Sequence, residues 1–231
     1  MNIFGRKKPA EATHKIFNLI ILDESGSMSS IRKATIEGLQ GIFATIRDGM
    51  EQFPDQDHSV SLISFSGSDI KEILWKAPVN KIPKGFENKY RPGGGTPLYD
   101  AIGSSLKKLS NTVAGLSSDS YNVLVTILTD GEENSSTKYS YSQVKALIDE
   151  LQTGPWTFAF IGAGLDAYEV ASSLSIKNAM TFEPSESGLE SLFEKTRSAN
   201  MRFMRVLNYQ QTSNIDESSF KENFFDDNQP Q

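Results

Sequence analysis

This sequence predicts a doubly wound α/β fold: a mostly parallel central sheet with one antiparallel edge strand and helices on both faces. Three observations carry that expectation. Largely apolar runs, each interrupted by no more than two polar residues, recur at residues 16–22, 121–128 and 156–161, the pattern of strands covered on both faces. Each run is followed by a segment whose apolar residues fall at helical spacing. One further pair of apolar runs is joined by a link too short for a crossover, which requires an antiparallel neighbour.

The elements follow in order. Residues 16–22 form the first strand, and residues 31–53 a helix through Ile31, Ala34, Leu39, Ile42, Ile46 and Met50. Residues 58–65 alternate Val60, Leu62 and Phe65 with serines, and residues 70–75 return after the Ser66-Gly67-Ser68-Asp69 turn as the edge strand. Residues 77–95 hold three prolines and four glycines, too many for a regular element, and long loops of this kind are usually functional. Leu98, Ala101, Ile102, Leu106 and Leu109 mark a helix over 98–109, with Thr96 as its expected N-cap and Pro97 at its first position. Strand 121–128, helix 141–151, strand 156–161, helix 165–174 and a short strand 179–182 come next. Residues 187–207 close the fold with Leu189, Leu192, Phe193, Thr196, Asn200, Phe203 and Leu207 on one helix face.

Residues 1–13 lack apolar periodicity and are expected to be a flexible leader, so the folded domain spans 14–209. Residues 210–231 are polar and acidic around Phe220, Phe224 and Phe225, and are expected to stay disordered until bound. The 231 residues carry 29 Asp plus Glu against 23 Lys plus Arg, a net charge of −6. An acidic chain without a dense basic run is a poor partner for a phosphate backbone, so no nucleic acid is expected. Cysteine is absent, which excludes disulfides, thiolate metal sites and a cysteine nucleophile, and suits a reducing, cytoplasmic setting. No run of about 18 apolar residues is present, so no membrane-spanning helix is expected.

In a doubly wound sheet, ligands sit outside the carboxyl ends of the strands, where the strand order reverses. The first strand ends in Asp23-Glu24-Ser25-Gly26-Ser27, the 121–128 strand runs into Thr129-Asp130-Gly131, and the long loop ends in Gly93-Gly94-Gly95-Thr96-Pro97. Asp23, Ser25, Ser27, Thr96 and Asp130 thus bring five oxygen-bearing side chains to one edge. Hydroxyls with two carboxylates suit a hard divalent cation such as Mg²⁺, with Mn²⁺ or Ca²⁺ as alternatives, better than Zn²⁺. Each segment also has a plainer meaning: Ser25 and Ser27 as helix caps, Thr96 as an N-cap, Asp130-Gly131 as a turn.

These three segments resemble the metal-ion-dependent adhesion site of von Willebrand factor type A domains, with its Asp-x-Ser-x-Ser, distant Thr and distant Asp. The Gly-Gly-Thr-Pro-Leu-Tyr-Asp-Ala and Thr-Asp-Gly text is similar to the bacterial intracellular branch. The resemblance implies a metal held directly by Ser25, Ser27 and Thr96, with Asp23 and Asp130 acting directly or through water. It also implies a non-enzymatic module whose metal accepts a Glu or Asp carboxylate from a partner protein, or an adaptor subunit docking on an ATPase, kinase or phosphatase.

Competing motifs are weaker. Gly162-Ala163-Gly164-Leu165-Asp166-Ala167 imitates a dinucleotide fingerprint but arrives after the third parallel strand. A Mg²⁺-assisted phosphatase or hydrolase would use Asp23 as nucleophile or Glu24 as base, but Ser25 stands where an Asp-x-Asp enzyme needs its second Asp. His14 and His58 lie at the starts of strands, the wrong end for catalysis. In the tail, Glu222 or Asp226 is a further carboxylate source for self-association.

Overall fold

The computed structural model describes residues 14–163, 166–212 and 221–226. Six strands make one sheet: β1 (His14–Asp23), β2 (Gln56–Ser66), β3 (Asp69–Pro78), β4 (Tyr121–Thr129), β5 (Trp156–Ala163) and β6 (Asn178–Phe182), in the spatial order β3-β2-β1-β4-β5-β6. β1 runs parallel to both β2 and β4, and β4, β5 and β6 continue parallel. β3 alone is antiparallel, folded back on β2 through a tight turn in which Gly67 takes φ +58°, a conformation natural to glycine. The expected architecture, including its single antiparallel edge, is the observed one.

The sheet is covered on both faces because its strands carry apolar residues on both. Phe17, Leu19 and Ile21 of β1 pack with α2 (Leu98–Val113), α3 (Tyr141–Gln152) and α4 (Ala167–Ser173). Ile20 and Leu22 of the same strand pack with α1 (Arg32–Gln52) and α5 (Glu186–Thr212). The expected apolar face of α5 is buried at all seven positions from Leu189 to Leu207. It comes so close to α1 that a methyl at Gly38 would fall 1.9 Å from the Phe193 ring, and one at Gly49 2.3 Å from Met204 Sδ. Each glycine costs the helix roughly 1 kcal/mol in propensity, and the closely packed ring and thioether occupy the space that a side chain would need.

Both histidines are buried and bonded near the strand starts, as packing residues. His14 Nε2 lies 2.7 Å from Asn122 Oδ1. His58 Nε2 lies 3.1 Å from Gln56 Oε1, and the Gln56 amide donates at 2.7 Å to the Met204 carbonyl, tying β2 to α5. Among the described residues no helix is long and apolar enough to cross a membrane.

The tail departs from expectation over residues 221–226. Phe224 is fully buried among Ile16, Leu124, Ala159, Phe203 and Leu207, edge-on to Phe203 with ring centroids 6.3 Å apart. Its amide donates to Asn178 Oδ1 at 2.8 Å, while Asn178 Nδ2 donates to the Lys221 carbonyl at 2.6 Å. A single aromatic side chain burying its whole surface, with its backbone bonded, outweighs the polarity of the residues around it. Residues 1–13 and Phe220 lie outside the described residues.

Candidate metal centre

β1 and β4 are neighbours although 98 residues of chain separate Asp23 from Tyr121, and their register pairs Leu22 with Leu128. Asp23 and Asp130 therefore leave adjacent strands at the same level, at the point where the strand order reverses, the expected place for a ligand. Ser27 Oγ donates to Asp130 Oδ1 at 2.6 Å and lies 3.1 Å from Ser25 Oγ. Asp23 Oδ1 accepts from the Ser25 amide at 2.7 Å, and Asp23 Oδ2 from Thr129 Oγ1 at 2.5 Å. Thr96 joins them from the long loop. A methyl placed on Gly131 would lie 3.2 Å from Thr96 Oγ1, 3.8 Å from Asp23 Oδ2 and 3.9 Å from Ser27 Oγ. Three chain segments thus bring their oxygens around one small space, which Gly131 leaves open.

The plainer meanings fare differently. Ser25 precedes a short 3₁₀ turn, Gly26–Ile31, without a side-chain capping bond, and α1 begins only after Ile31, so neither serine is a helix cap. Thr96 is not the N-cap expected of it: α2 starts at Leu98 behind Pro97, with no side-chain cap from the flanking residue. The first-turn amides that the helix leaves without partners find acceptors across the fold instead. Tyr99 N donates to Glu133 Oε2 at 2.9 Å and Asp100 N to Ser136 Oγ at 3.0 Å. That releases the Thr96 hydroxyl, while its backbone is clamped by Thr96 N to Asn134 Oδ1 at 2.8 Å and Asn134 N to Thr96 O at 3.1 Å.

The glycines before Thr96 are tied down as well. Gly26 N donates to Gly94 O, Gly67 N to Gly95 O and Gly93 N to Glu24 O, at 3.1, 2.8 and 2.8 Å. Gly94 takes φ +78°, and a methyl at Gly95 would strike Asn134 Oδ1 at 2.8 Å. The end of the long loop is thus pinned to the residues that follow β1 and β2.

Several bracing residues escaped the sequence. Glu24 is fully buried; its Oε2 accepts from Ser64 Oγ at 2.5 Å, and its Oε1 accepts from Lys71 Nζ at 3.0 Å and from the Arg91 amide. Asp100 accepts from the amides of Thr137, Lys138 and Tyr139 at 2.9, 2.8 and 2.7 Å. Burial pushes its carboxyl up, and the three backbone donors outweigh that and hold it below the ordinary range. Tyr90 donates to the Asp23 carbonyl at 2.8 Å, and burial raises its hydroxyl far above the usual phenol value, so it remains a donor. The Asp of the Pro-Leu-Tyr-Asp text and Glu24 stood out in the sequence, but not as braces; the bonds of Glu24 and Tyr90 reach partners 40 to 67 residues away.

Among the described residues no three His, Asp or Glu side chains gather as a metal-holding group; the candidate set is two carboxylates and three hydroxyls. That donor chemistry fits Mg²⁺, which accepts hydroxyl oxygens and retains waters. Burial pushes the Asp23 and Asp130 carboxyls above their ordinary range, against hydrogen bonds from Thr129 and Ser25 to the first and from Ser27 to the second. Two desolvated carboxylates at one edge form a local excess of negative charge that a cation would neutralise. Gly162 of the fingerprint-like motif has a packing reason: a methyl there would lie 2.5 Å from the Ala167 side chain, and residues 164 and 165 lie outside the described residues.

Comparisons with known proteins agree with this fold. The model of the von Willebrand factor type A domain matches residues 19–195. No curated protein sequence matches significantly. Among solved structures, the vWF domain of the type V pili tip protein Mfa5 from Porphyromonas gingivalis superposes with TM-score 0.58 at 13% identity, covering 83% of this chain and 97% of that one. The SpRpn10 VWA domain superposes with TM-score 0.56 at 10% identity, covering 78% and 94%. Proximal thread matrix protein 1 from the mussel byssus gives TM-score 0.53 at 20% identity over 83% of this chain, which spans only 47% of that chain's length. At these identities the likeness is one of fold. With the family model matching more than three quarters of its length, the chain belongs to the von Willebrand factor type A domain family.

Proposed function

We propose that this chain is a metal-dependent protein-binding module, in which Asp23, Ser25, Ser27, Thr96 and Asp130 hold a Mg²⁺-type cation and a partner protein supplies a Glu or Asp carboxylate to it. The observation that carries the proposal is the convergence of Thr96, Asp23 and Ser27 oxygens on the space above Gly131. Two carboxylates offset the charge of a divalent cation, and hydroxyls add none. When bound, the cation supplies an electrophilic position at which an anionic side chain can replace water. The residues of the chain orient that position: Thr129 and the Ser25 amide fix the Asp23 carboxylate, and the Asn134 clamp fixes the Thr96 backbone.

The alternative as a Mg²⁺-dependent hydrolase is weakened by Glu24. Both of its oxygens are engaged and the side chain is fully buried, leaving it no route to activate a water. Both histidines sit at the other ends of the strands. An adaptor role beside an ATPase, kinase or phosphatase keeps the same chemistry and changes only the partner. Self-association through the tail is less favoured, because Glu222 pairs with Lys177 at 2.5 Å near the start of β6, at the sheet edge opposite the cradle.

The test is binding of immobilised full-length protein to carboxylate-bearing partners in Mg²⁺ and again in chelator, with Thr96→Ala alongside. Metal-dependent capture lost in Thr96→Ala supports the proposal, and capture unaffected by chelator contradicts it. Phosphate release from generic phosphoesters by the Mg²⁺-loaded protein would favour the hydrolase.

A further inference from the structure

A cavity of about 360 Å³ opens directly beside the cradle and shares Thr129, Asp130 and Gly131 with it. Its size sits at the low end of ligand sites, roughly 300–1,000 Å³, the scale of a side chain and its surroundings. The floor is apolar, made by Leu98, Phe160 and Ala167, all buried, and by half-buried Val170. The polar lining is of one sign. Asp130, Glu132, Glu133 and Asp166 contribute carboxylates, and among the described residues no Lys, Arg or His lines the cavity.

Two of these carboxylates are already committed: Asp130 to Ser27 and the cradle, and Glu133 to the amides of Tyr99, Ser135 and Ser136. Glu132 and Asp166 are exposed, and neither side chain has a hydrogen bond or ion pair with another described residue. An apolar floor beneath two uncommitted anions complements one kind of group: a long aliphatic stem ending in a cation. Arginine and lysine lay such stems along apolar surface and keep the charged head at the water boundary.

We infer that this cavity takes an arginine or lysine side chain of the same partner segment whose carboxylate reaches the cation, its stem on Leu98, Phe160 and Val170 and its head between Glu132 and Asp166. The inference rests on the metal-dependent reading above. Chain geometry allows both contacts at once: successive Cα atoms lie about 3.8 Å apart, and alternate residues of an extended strand about 7 Å. The partner motif is then an acidic residue with a basic one within two positions, and the cavity distinguishes it from an acidic residue alone.

The probes are capped synthetic nonapeptides with a central Glu and one Arg at each of the four positions within two residues of it, beside the same peptides with Gln in place of Arg. Anisotropy titrations of the full chain in Mg²⁺ should show at least one Arg peptide binding about five- to tenfold tighter than its Gln counterpart, the range that two exposed ion pairs supply. The advantage should shrink at high salt and vanish in the Glu132→Gln/Asp166→Asn double variant, whose Mg²⁺ affinity stays at the wild-type value. Equal, Mg²⁺-dependent binding of the Arg and Gln peptides overturns this inference and leaves the metal reading standing. An Arg preference that survives in chelator severs the cavity from the metal and overturns it too. Failure of every peptide to bind in Mg²⁺ contradicts the metal reading and this inference with it.

Discussion

The Ser27 hydroxyl donates to the Asp130 carboxylate across 2.6 Å of space and 103 residues of sequence. This bond joins the loop after β1 to the loop after β4, and it brings together two of the residues that would hold the proposed cation. For a hydroxyl to coordinate a metal, its oxygen lone pair must face the ion, while its proton can still point to a neighbouring carboxylate. The bond seen between Ser27 and Asp130 is thus compatible with both residues serving one ion.

Gly131→Ala tests the space itself. The added methyl would crowd Thr96 Oγ1 at 3.2 Å and occupy the region between Asp23 and Ser27. We expect Mg²⁺ affinity to fall at least about tenfold, equivalent to about 1.4 kcal/mol, with an unchanged far-UV circular dichroism spectrum. Wild-type affinity in this variant would mean that the cation, if bound, sits elsewhere.

Glu24→Gln separates a brace from a base. The substitution removes charge from a buried group that receives bonds from Ser64, Lys71 and Arg91, and should cost about 1–3 kcal/mol of stability in urea titration. Mg²⁺ affinity should change little. A stable variant with altered cation binding would assign Glu24 to the site instead.

His58 makes a prediction about pH. Burial, with a smaller contribution from His14, lowers it from 6.5 to about 3. The unfolded chain therefore binds a proton between those values that the folded chain does not, so stability falls as pH falls through that window, by up to about 1.4 kcal/mol per pH unit. In His58→Gln, which keeps a donor and an acceptor for Asn18 and Gln56, the difference in unfolding free energy between pH 7 and pH 5 should shrink. An undiminished difference would place the pH dependence in the carboxylates alone.

Phe224→Ala asks whether the tail is part of the domain. Truncating a fully buried aromatic side chain removes its contacts with Phe203 and Leu207, an expected loss of about 3–5 kcal/mol. Ending the chain at Gln211 should have a similar effect. Stability unchanged in both would return residues 221–226 to the solvated tail that their composition suggests.

What the sequence revealed and what it concealed follow from range. Ile16 to Leu22 and Trp156 to Ile161 are legible as strands because burial on both faces leaves a run that is apolar at all but one position, and α5 because its buried face repeats with the helical period. Asp23, Ser25, Ser27, Thr96 and Asp130 are legible because each lies at the carboxyl end of such an element or in the loop beside it. Glu24, Glu133 and Ser136 were not, since what makes them structural is a partner in a different segment, and nothing local distinguishes them from surface polar residues. The cap of α2 was misplaced for the same reason: Thr96 has the residue type of an N-cap, but Glu133 and Ser136 reach the helix start from another loop. Phe224 was misjudged because its neighbours are polar, and the groove that buries it is assembled from β1, β4, β5 and α5.

The central claim is that Asp23 and Asp130 jointly hold one divalent cation. Isothermal titration of Mg²⁺ into the wild-type chain, Asp23→Ala and Asp130→Ala, each verified as folded by circular dichroism, tests it most directly. The account predicts one saturable site in the wild type and none in either variant, because each substitution removes half of the compensating charge. Unchanged Mg²⁺ affinity in both variants would contradict it.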